Sequence, residues 1–174
     1  ENLRMMGFSH PGAFSEQVVL HEKHCWSING LADHLGSAQE ACEIASLVEP
    51  IGCSQNGMFV VGPGVNPKSH VAVFGCGPIG LGAIALARAA GAASITAFDK
   101  TAGRLSLAKS MGADHVHDVT TLRPEDAADA IRQASKGWGA DMIVEAAGAA
   151  HQTMPISEAA IAPGGTIVYL GRTG

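Results

Sequence analysis

The sequence contains few charged residues and no concentrated patch of them. Only 16% of the 174 residues are charged, and the net charge is −5. No run of Lys and Arg offers the basic surface on which binding to nucleic acids or anionic membranes depends. No apolar stretch reaches the roughly 20 residues that a bilayer-spanning helix requires, and no secretory signal is recognisable. We therefore expect neither a nucleic acid nor a membrane among the partners of this protein.

Cysteine is scarce, and its spacing indicates no paired site. The four residues are Cys25, Cys42, Cys53 and Cys76. None of them forms a C-x-x-C pair, so neither a zinc knuckle nor a disulfide framework is indicated. We predict reduced thiols and a cytoplasmic protein, since disulfides are rare in that compartment.

Hydrophobic residues and glycine are abundant, and from His70 onward they follow a regular alternation. Hydrophobic residues make up 47% of the chain, and 22 residues are glycine. The predicted strands are residues 70–75, 94–99, 114–119, 141–148 and 164–171, and the predicted helices are residues 79–90, 101–111, 124–135 and 151–161. Strands that alternate with helices at intervals of about 20–30 residues predict βαβ units on a parallel, doubly wound sheet.

The first third of the chain has a less regular pattern. Residues 13–20 ("AFSEQVVL") and 25–28 ("CWSI") are predicted as strands. Ser37 and Glu40 form the S-x-x-E pattern of a capping box, which predicts a helix that begins there. Pro50 disfavours helical backbone at Glu49, so a break or kink is expected at that point.

The segment "GCGPIG" follows the first buried strand and opens a helix. Gly75 permits a sharp exit from the strand, Gly77 lets a diphosphate approach the backbone, and Gly80 lets the helix lie close to the strand. The free N–H groups of the first helical turn, from about Ile79, together with the helix dipole, would attract the anion. Pro78 precedes them in the same turn and is also predicted to bind the cofactor. The alternative for the motif alone is a plain tight turn.

An acidic residue ends the second strand of this alternation. Asp99 lies about 20 residues beyond Gly80, where a carboxylate can accept hydrogen bonds from the adenosine ribose. It would repel a 2′-phosphate, which favours NAD over NADP, although Lys100 and Arg104 could relax the preference. The alternative is an exposed acid that caps the next helix.

The end of the fourth strand also offers small side chains. Ala146, Ala147 and Gly148 could admit a riboside of a dinucleotide, or they could form a tight turn.

Several segments in order resemble the medium-chain, zinc-dependent alcohol dehydrogenases. They are "GAFSEQVV", "LVEP", "GCGPIGLGAIALARAAGA", "RLSLAKSMGADHV" and "GGTIVYLG". Within that family the nearest resemblance is to the polyol branch, which includes sorbitol, threonine and cyclitol dehydrogenases.

The resemblance implies a domain organisation and an activity. Residues 1–36 would be a remnant of a GroES-like catalytic domain, 37–69 connecting helices, and 70–174 a Rossmann domain that stops before its sixth strand. The intact enzyme would use NAD and zinc to oxidise a secondary alcohol or polyol to a ketone, and would form a homo-oligomer. The chain alone would be inactive, with binding residues and no catalytic residue.

The resemblance also assigns individual residues. Glu49 of "LVEP" matches the position of a glutamate near the catalytic zinc, whereas Cys53 matches no ligand position. Arg104 would assist Asp99 at the ribose. Leu170 and Gly171 would lie beside the nicotinamide half of the cofactor. Without the resemblance, Glu49 would be interpreted as a solvated acid at a helix end.

Two histidine clusters are interpreted as exposed strand edges rather than metal sites. The cluster "HEKHC" (residues 21–25) fits no closed tetrahedral site, and no further ligand is visible beside His115 and His117. Two other functions stay open, a non-catalytic dinucleotide-binding module and a class I methyltransferase-like domain. Pro78 and the "LVEP" helix fit the methyltransferase poorly.

Overall fold

The computed structural model describes residues 12–171, which fall into two compact units. The division between the two units falls between Ala45 and Ser46. Among the described residues, no helix has both the length and the apolar character that crossing a membrane requires.

Helical segments form the regular structure of residues 12–45. They are the 3₁₀ turn Glu22–His24 and the helices α1 (Asn29–Leu35) and α2 (Ala38–Ala45). Helix α1 ends at Gly36, whose φ of 70° lies in the left-handed region that glycine adopts without a Cβ clash. The Ser37 hydroxyl accepts a hydrogen bond from the Glu40 N–H at 3.2 Å, as the predicted helix start requires.

The two strands predicted over residues 13–20 and 25–28 were wrong. Neither segment is a strand, and the cluster at 21–25 forms a 3₁₀ turn instead of a strand edge. Phe14 and Val19 are fully exposed, so the apolar alternation faces no core within the described part of this unit. A strand requires a pairing partner, and the described residues 12–45 contain no other strand.

Helix α3 (Val48–Gln55) opens the described structure of the second unit, and a π-helical segment, Asn56–Val61, continues it. The expected break at Glu49 was wrong in position, because the turn between α2 and α3 falls at residues 46–47. Glu49 and Pro50 lie in the first turn of α3, where a proline removes no intrahelical hydrogen bond.

Five parallel strands form the sheet of the second unit, in the order β3-β2-β1-β4-β5. They are β1 (His70–Phe74), β2 (Ser94–Asp99), β3 (His115–Asp118), β4 (Ala140–Glu145) and β5 (Ile161–Tyr169). Every strand predicted from His70 onward is therefore confirmed. The last strand begins three residues earlier than residue 164, and its pairing with β4 contains a register shift near Met142.

Helices cover both faces of this sheet. They are α4 (Pro78–Ala89), α5 (Ala102–Ser110), α6 (Pro124–Ala134) and α7 (Ala150–Ala160). Val73 of β1 packs in the same buried cluster as Ile84 of α4, whereas Phe74 packs with Ile131 of α6 on the opposite face. Successive side chains of a strand point to opposite faces, so the predicted doubly wound sheet is confirmed. All loops that follow the strands meet at its carboxyl edge.

Candidate functional site

The glycine turn lies between β1 and α4, against the end of β4. Gly75 adopts a φ of 90°, and a Cβ there would meet Ala147 N at 2.7 Å and the Ala146 carbonyl carbon at 2.8 Å. The Gly75 N–H donates to the Phe98 carbonyl oxygen at 2.8 Å. Only glycine fits this conformation at so close an approach, so the first glycine of the motif has a steric explanation.

The other two glycines differ in their surroundings. A Cβ on Gly77 would meet nothing within 4 Å, whereas a Cβ on Gly80 would collide with the Gly75 carbonyl oxygen. Gly77 is the N-cap of α4, makes no side-chain cap, and is followed by Pro78. The first N–H groups of a helix have no intrahelical partner, and the backbone of Gly77 therefore stands open beside the positive end of α4.

Asp99 contacts the glycine turn directly. Its Oδ2 accepts a hydrogen bond from the Cys76 N–H at 2.7 Å, and its Oδ1 accepts one from the Thr101 N–H at 2.8 Å. The side chain is only 5% exposed, so it is not the solvated acid of the alternative interpretation, although it does hold the start of α5. A carboxylate oxygen accepts more than one hydrogen bond, which leaves Asp99 able to bind a further donor.

A cavity of about 740 Å³ lies over this edge of the sheet. Seven of the predicted cofactor-binding residues line it, namely Gly75, Gly77, Asp99, Lys100, Arg104, Ala146 and Ala147. Pro78, Ile79, Gly80, Leu170 and Gly171 do not line it. The cavity spans the ends of β1, β2 and β4, where the strand order reverses, and ligands of open α/β sheets bind at such a point.

Residues that no sequence motif marks form another wall of the cavity. They are Phe74, Phe98, Val119, Leu122, Arg123, Pro124, Ala127, Ala149, His151, Gln152, Thr153, Pro155 and Ile156. Many belong to the loop after β3 and to the start of α7, which no glycine motif marks. The rule that every strand-end loop meets at the carboxyl edge could have identified these loops.

Three cations border the cavity, and they differ in how firmly they are held. Arg104 approaches Asp99 at 4.0 Å and is 52% exposed. Arg123 contacts the Asp126 carboxylate through two nitrogens, at 2.9 and 2.8 Å. The hydrogen bonds from Arg123 lower the pKa of Asp126 and raise that of Arg123 itself. Arg123 is therefore already paired, while Lys100 and Arg104 are the cations nearest to Asp99 along the chain.

The end of β5 lies against the end of β4 rather than in the cavity. The N–H groups of Leu170 and Gly171 both donate to the main-chain oxygen of Glu145, at 2.8 Å each. The structure thus brings these residues together with the Ala146–Ala147 segment, at the same edge of the sheet.

Glu49 lies outside the cavity, on an exposed part of α3. Its Oε1 accepts a hydrogen bond from the Cys53 thiol at 3.4 Å, and burial, followed by this contact, raises the pKa of Cys53. Helix α3 packs beside the glycine turn, where the Ser54 hydroxyl donates to the Ile79 carbonyl oxygen at 2.6 Å. Among residues 12–171, no three His, Cys, Asp or Glu side chains group as a metal site requires. The described residues therefore do not complete a zinc site.

Cys76, in the middle of the glycine turn, is not a nucleophile. The thiol is fully buried, and burial, followed by the nearby Asp99 charge, raises the pKa of Cys76 to about 12. A thiol in this state is not ionised near neutral pH and does not attack a substrate.

Phe74 and Phe98, which line the cavity, belong to a stack of three rings. Phe74 stacks on Phe98 with ring centroids 4.8 Å apart, and Phe98 stacks on His117 at 5.2 Å. Burial lowers the pKa of His117, and the neighbouring His115 lowers it further. His117 is thus a packing residue on β3, and it also lines a smaller surface depression with His115.

Replacing His117 with phenylalanine should reduce the loss of stability in acid. The unfolded chain regains a pKa of about 6.5 and binds more protons than the native state just below that pH, so native stability falls as the pH drops through 6.5. Phenylalanine keeps a ring on Phe98 but cannot titrate. Urea unfolding at about pH 7.5 and about pH 5.5 measures the effect. If the free energy of unfolding falls equally between the two pH values in the wild type and in the variant, this role of His117 is excluded.

The five-stranded parallel sheet with helices on both faces defines a Rossmann-type α/β domain. The sequence profile of the family described as zinc-binding dehydrogenases matches residues 78–174, and this chain belongs to that family.

Individual relatives agree with this assignment. The chain is 36% identical over 161 residues to a scyllo-inosose 3-dehydrogenase from Thermotoga maritima, covering 92% of this chain and 40% of the relative. It is 35% identical over 147 residues to an L-threonine 3-dehydrogenase from Bacillus subtilis, covering 84% and 38%. A solved structure from Thermotoga maritima, proposed to be an alcohol dehydrogenase, is 33% identical with a TM-score of 0.87, covering 99% of this chain and 44% of that one. The chain thus spans about two-fifths of the length of these curated relatives.

Proposed function

We propose that this chain is the cofactor-binding part of an NAD(H)-dependent, zinc-dependent dehydrogenase that oxidises a secondary alcohol or polyol to a ketone. One observation carries the proposal, namely that the open backbone of Gly77 and the buried carboxylate of Asp99 face one cavity. The start of α4 supplies N–H groups without an intrahelical partner for a diphosphate, and Asp99 supplies an acceptor for a ribose hydroxyl.

The cavity has room for a dinucleotide. Its volume of about 740 Å³ lies within the range of sites for molecules of drug or cofactor size. Phe74 and Phe98 give it apolar walls, and Ala146 and Ala147 bring no bulky side chain into it. These features support the cofactor role that we assign to the glycine turn.

The negative charge of Asp99 supports NAD rather than NADP as the cofactor. Asp99 is almost fully buried, and like charges at close range repel strongly away from bulk water. Arg104 is half exposed and could only partly offset a 2′-phosphate, since exposed ion pairs contribute little.

In the reaction we propose, the substrate carbon gives a hydride to C4 of the nicotinamide, and the hydroxyl loses a proton. The residues of this chain bind the cofactor and orient it. None of them is assigned as a general base. The names of the relatives support a polyol, a cyclitol or a hydroxy amino acid as the substrate class.

The proposal extends to the longer protein. We propose that residues 1–36 belong to a GroES-like catalytic domain and that residues 37–69 connect it to the Rossmann domain of residues 70–174. We also propose that the enzyme is a cytoplasmic homo-oligomer. Gel filtration with light scattering of the longer protein would test the oligomeric state, and a monomer would contradict it.

Calorimetric titration of the chain with NADH and NADPH tests the cofactor role. We expect NADH to bind in the micromolar range and NADPH at least about tenfold more weakly. A chain that binds neither would contradict the proposal. Reduction of NAD by the longer protein, followed with a panel of polyols, would separate an enzyme from a non-catalytic dinucleotide-binding module.

Glu49→Ala should lower the zinc content of the longer protein if Glu49 lies near the catalytic metal. Glu158→Ala is the matched control, because it also removes an exposed carboxylate from a helix, in this case α7. Removal of a ligand or of its hydrogen-bonding partner weakens metal affinity about 10- to 100-fold. Atomic absorption and turnover measure the effect. Unchanged zinc and turnover in Glu49→Ala would remove Glu49 from the metal site.

A further inference from the structure

Glu145 is a buried carboxylate at the end of β4 that the cofactor site does not use directly. Its side chain is 0% exposed. Its Oε1 accepts hydrogen bonds from the N–H groups of Ala147 at 3.0 Å and Ala149 at 3.2 Å. Its Oε2 has no partner among residues 12–171, and no ion pair in that part of the chain includes it. Burial of such a group is costly, so packing alone does not explain it.

The segment that Glu145 holds forms one side of the glycine turn. The Ala146 N–H donates to the Phe74 carbonyl oxygen at 2.8 Å, which fixes the start of the segment to β1. The backbone of Ala146 and Ala147 then occupies the space beside Gly75 that a Cβ would need. Any movement of residues 146–149 would therefore change the width of the cleft beside the turn.

The same residue also holds the end of β5. Its main-chain oxygen accepts the N–H groups of Leu170 and Gly171, and its Oε2 lies so close to Gly171 that a Cβ there would collide with it. One residue thus links two strand-end segments, the 146–149 segment through its side chain and the 170–171 segment through its backbone.

We propose that Glu145 is a positioning residue for dinucleotide binding. Its Oε1 fixes the 146–149 segment at the distance from the glycine turn that the cofactor requires. Glu145 does not line the cavity, so it acts through Ala147 and Ala149, which do. This inference rests on the proposed function, because it assumes that the cavity binds NADH.

Two substitutions test the role of the Oε1 acceptor. Glu145→Ala leaves the N–H groups of Ala147 and Ala149 without their partner, and we expect NADH affinity to fall about tenfold or more. Glu145→Gln keeps an amide oxygen in the Oε1 position and places the NH₂ group where Oε2 has no partner. Glutamine should therefore keep NADH affinity within about threefold of wild type.

Ser135→Ala is the control for a general loss of stability. The Ser135 hydroxyl oxygen accepts the Gly139 N–H at 2.7 Å, at the amino end of β4, and the residue is 4% exposed. The variant thus also removes a buried side-chain acceptor from a backbone N–H, but at the edge of the sheet opposite the cavity. We expect it to lower the urea midpoint and leave NADH affinity unchanged.

Two measurements on the wild type and the three variants test the positioning role of Glu145. They are calorimetric titration with NADH and urea unfolding. Weak NADH binding by Glu145→Ala, with glutamine rescue and an unaffected Ser135→Ala, would support the positioning role. Wild-type affinity in a folded Glu145→Ala, or an equal loss of affinity in Ser135→Ala, would overturn it. If the wild type itself fails to bind NADH, the proposed function fails first.

Discussion

Gly80→Ala is expected to lower the free energy of unfolding by about 3 kcal/mol, because overpacking a tight contact costs about 1–3 kcal/mol and here the obstacle is backbone. The new Cβ would collide with the Gly75 carbonyl oxygen, and it would also lie 2.9 Å from the Gly75 carbonyl carbon. Neither atom belongs to a flexible side chain, so α4 would have to move away from β1. Urea unfolding of wild type and variant measures the loss.

Gly77→Ala is the matched variant and should give the opposite pattern. Gly77 has an extended backbone, with φ of −76° and ψ of −176°, and a Cβ there would meet nothing within 4 Å. Alanine should therefore leave the unfolding midpoint unchanged. The methyl group would stand where the diphosphate is proposed to approach the backbone, so NADH affinity should fall about tenfold or more.

Together, Gly80→Ala and Gly77→Ala distinguish a role in packing from a role in cofactor binding, because both variants add one methyl group within the same turn. Wild-type NADH affinity in Gly77→Ala would show that no phosphate lies against that backbone. Wild-type stability in Gly80→Ala would show that the turn and α4 are farther apart than the structure places them.

Asp99→Gly should narrow or invert the preference for NADH over NADPH, by about tenfold or more in the ratio of dissociation constants. Two like charges about 4 Å apart repel by up to about 4 kcal/mol near a protein surface, and a tenfold ratio needs only about 1.4 kcal/mol. Removal of the carboxylate leaves Lys100 and Arg104 free to attract the 2′-phosphate. Calorimetry with both cofactors measures the ratio.

Asp99 also braces the glycine turn through the Cys76 N–H, so the binding of both cofactors could fall in Asp99→Gly. Asp99→Asn removes the negative charge while its amide oxygen can still accept the hydrogen bond from the Cys76 N–H, although the hydrogen bond from the Thr101 N–H is lost. Asp118→Asn is the charge control. Asp118 pairs with Asp99 in the sheet register but does not line the cavity. An unchanged ratio in both Asp99 variants would remove Asp99 from the ribose site.

The sequence was sufficient to predict the sheet because burial leaves a strong signal. Strands β1 and β2 are buried on both faces, and such strands appear as continuous apolar runs between glycine-rich turns. The segment at 13–20 has a similar apolar content, yet it forms no strand. Apolar pattern predicts a strand only where a partner and a core exist, and neither can be deduced from the segment itself.

The candidate site was predictable where a motif marks it and not where tertiary contacts build it. Gly75, Gly77 and Asp99 follow a recognised spacing, and all three line the cavity. Arg123 and Leu122 reach the cavity only because the loop after β3 folds over the sheet edge. Glu145 had no sequence signal, since a glutamate at a strand end is usually exposed. The bond between Asp99 and the Cys76 N–H also depends on tertiary geometry.

A crystal structure of the chain with NADH tests the central claim most directly. We expect the diphosphate against the backbone of Gly77 and Ile79, at the start of α4, with the adenosine ribose hydrogen-bonded to Asp99. A cavity without the dinucleotide at saturating NADH, or phosphates bound away from the glycine turn, would contradict the account.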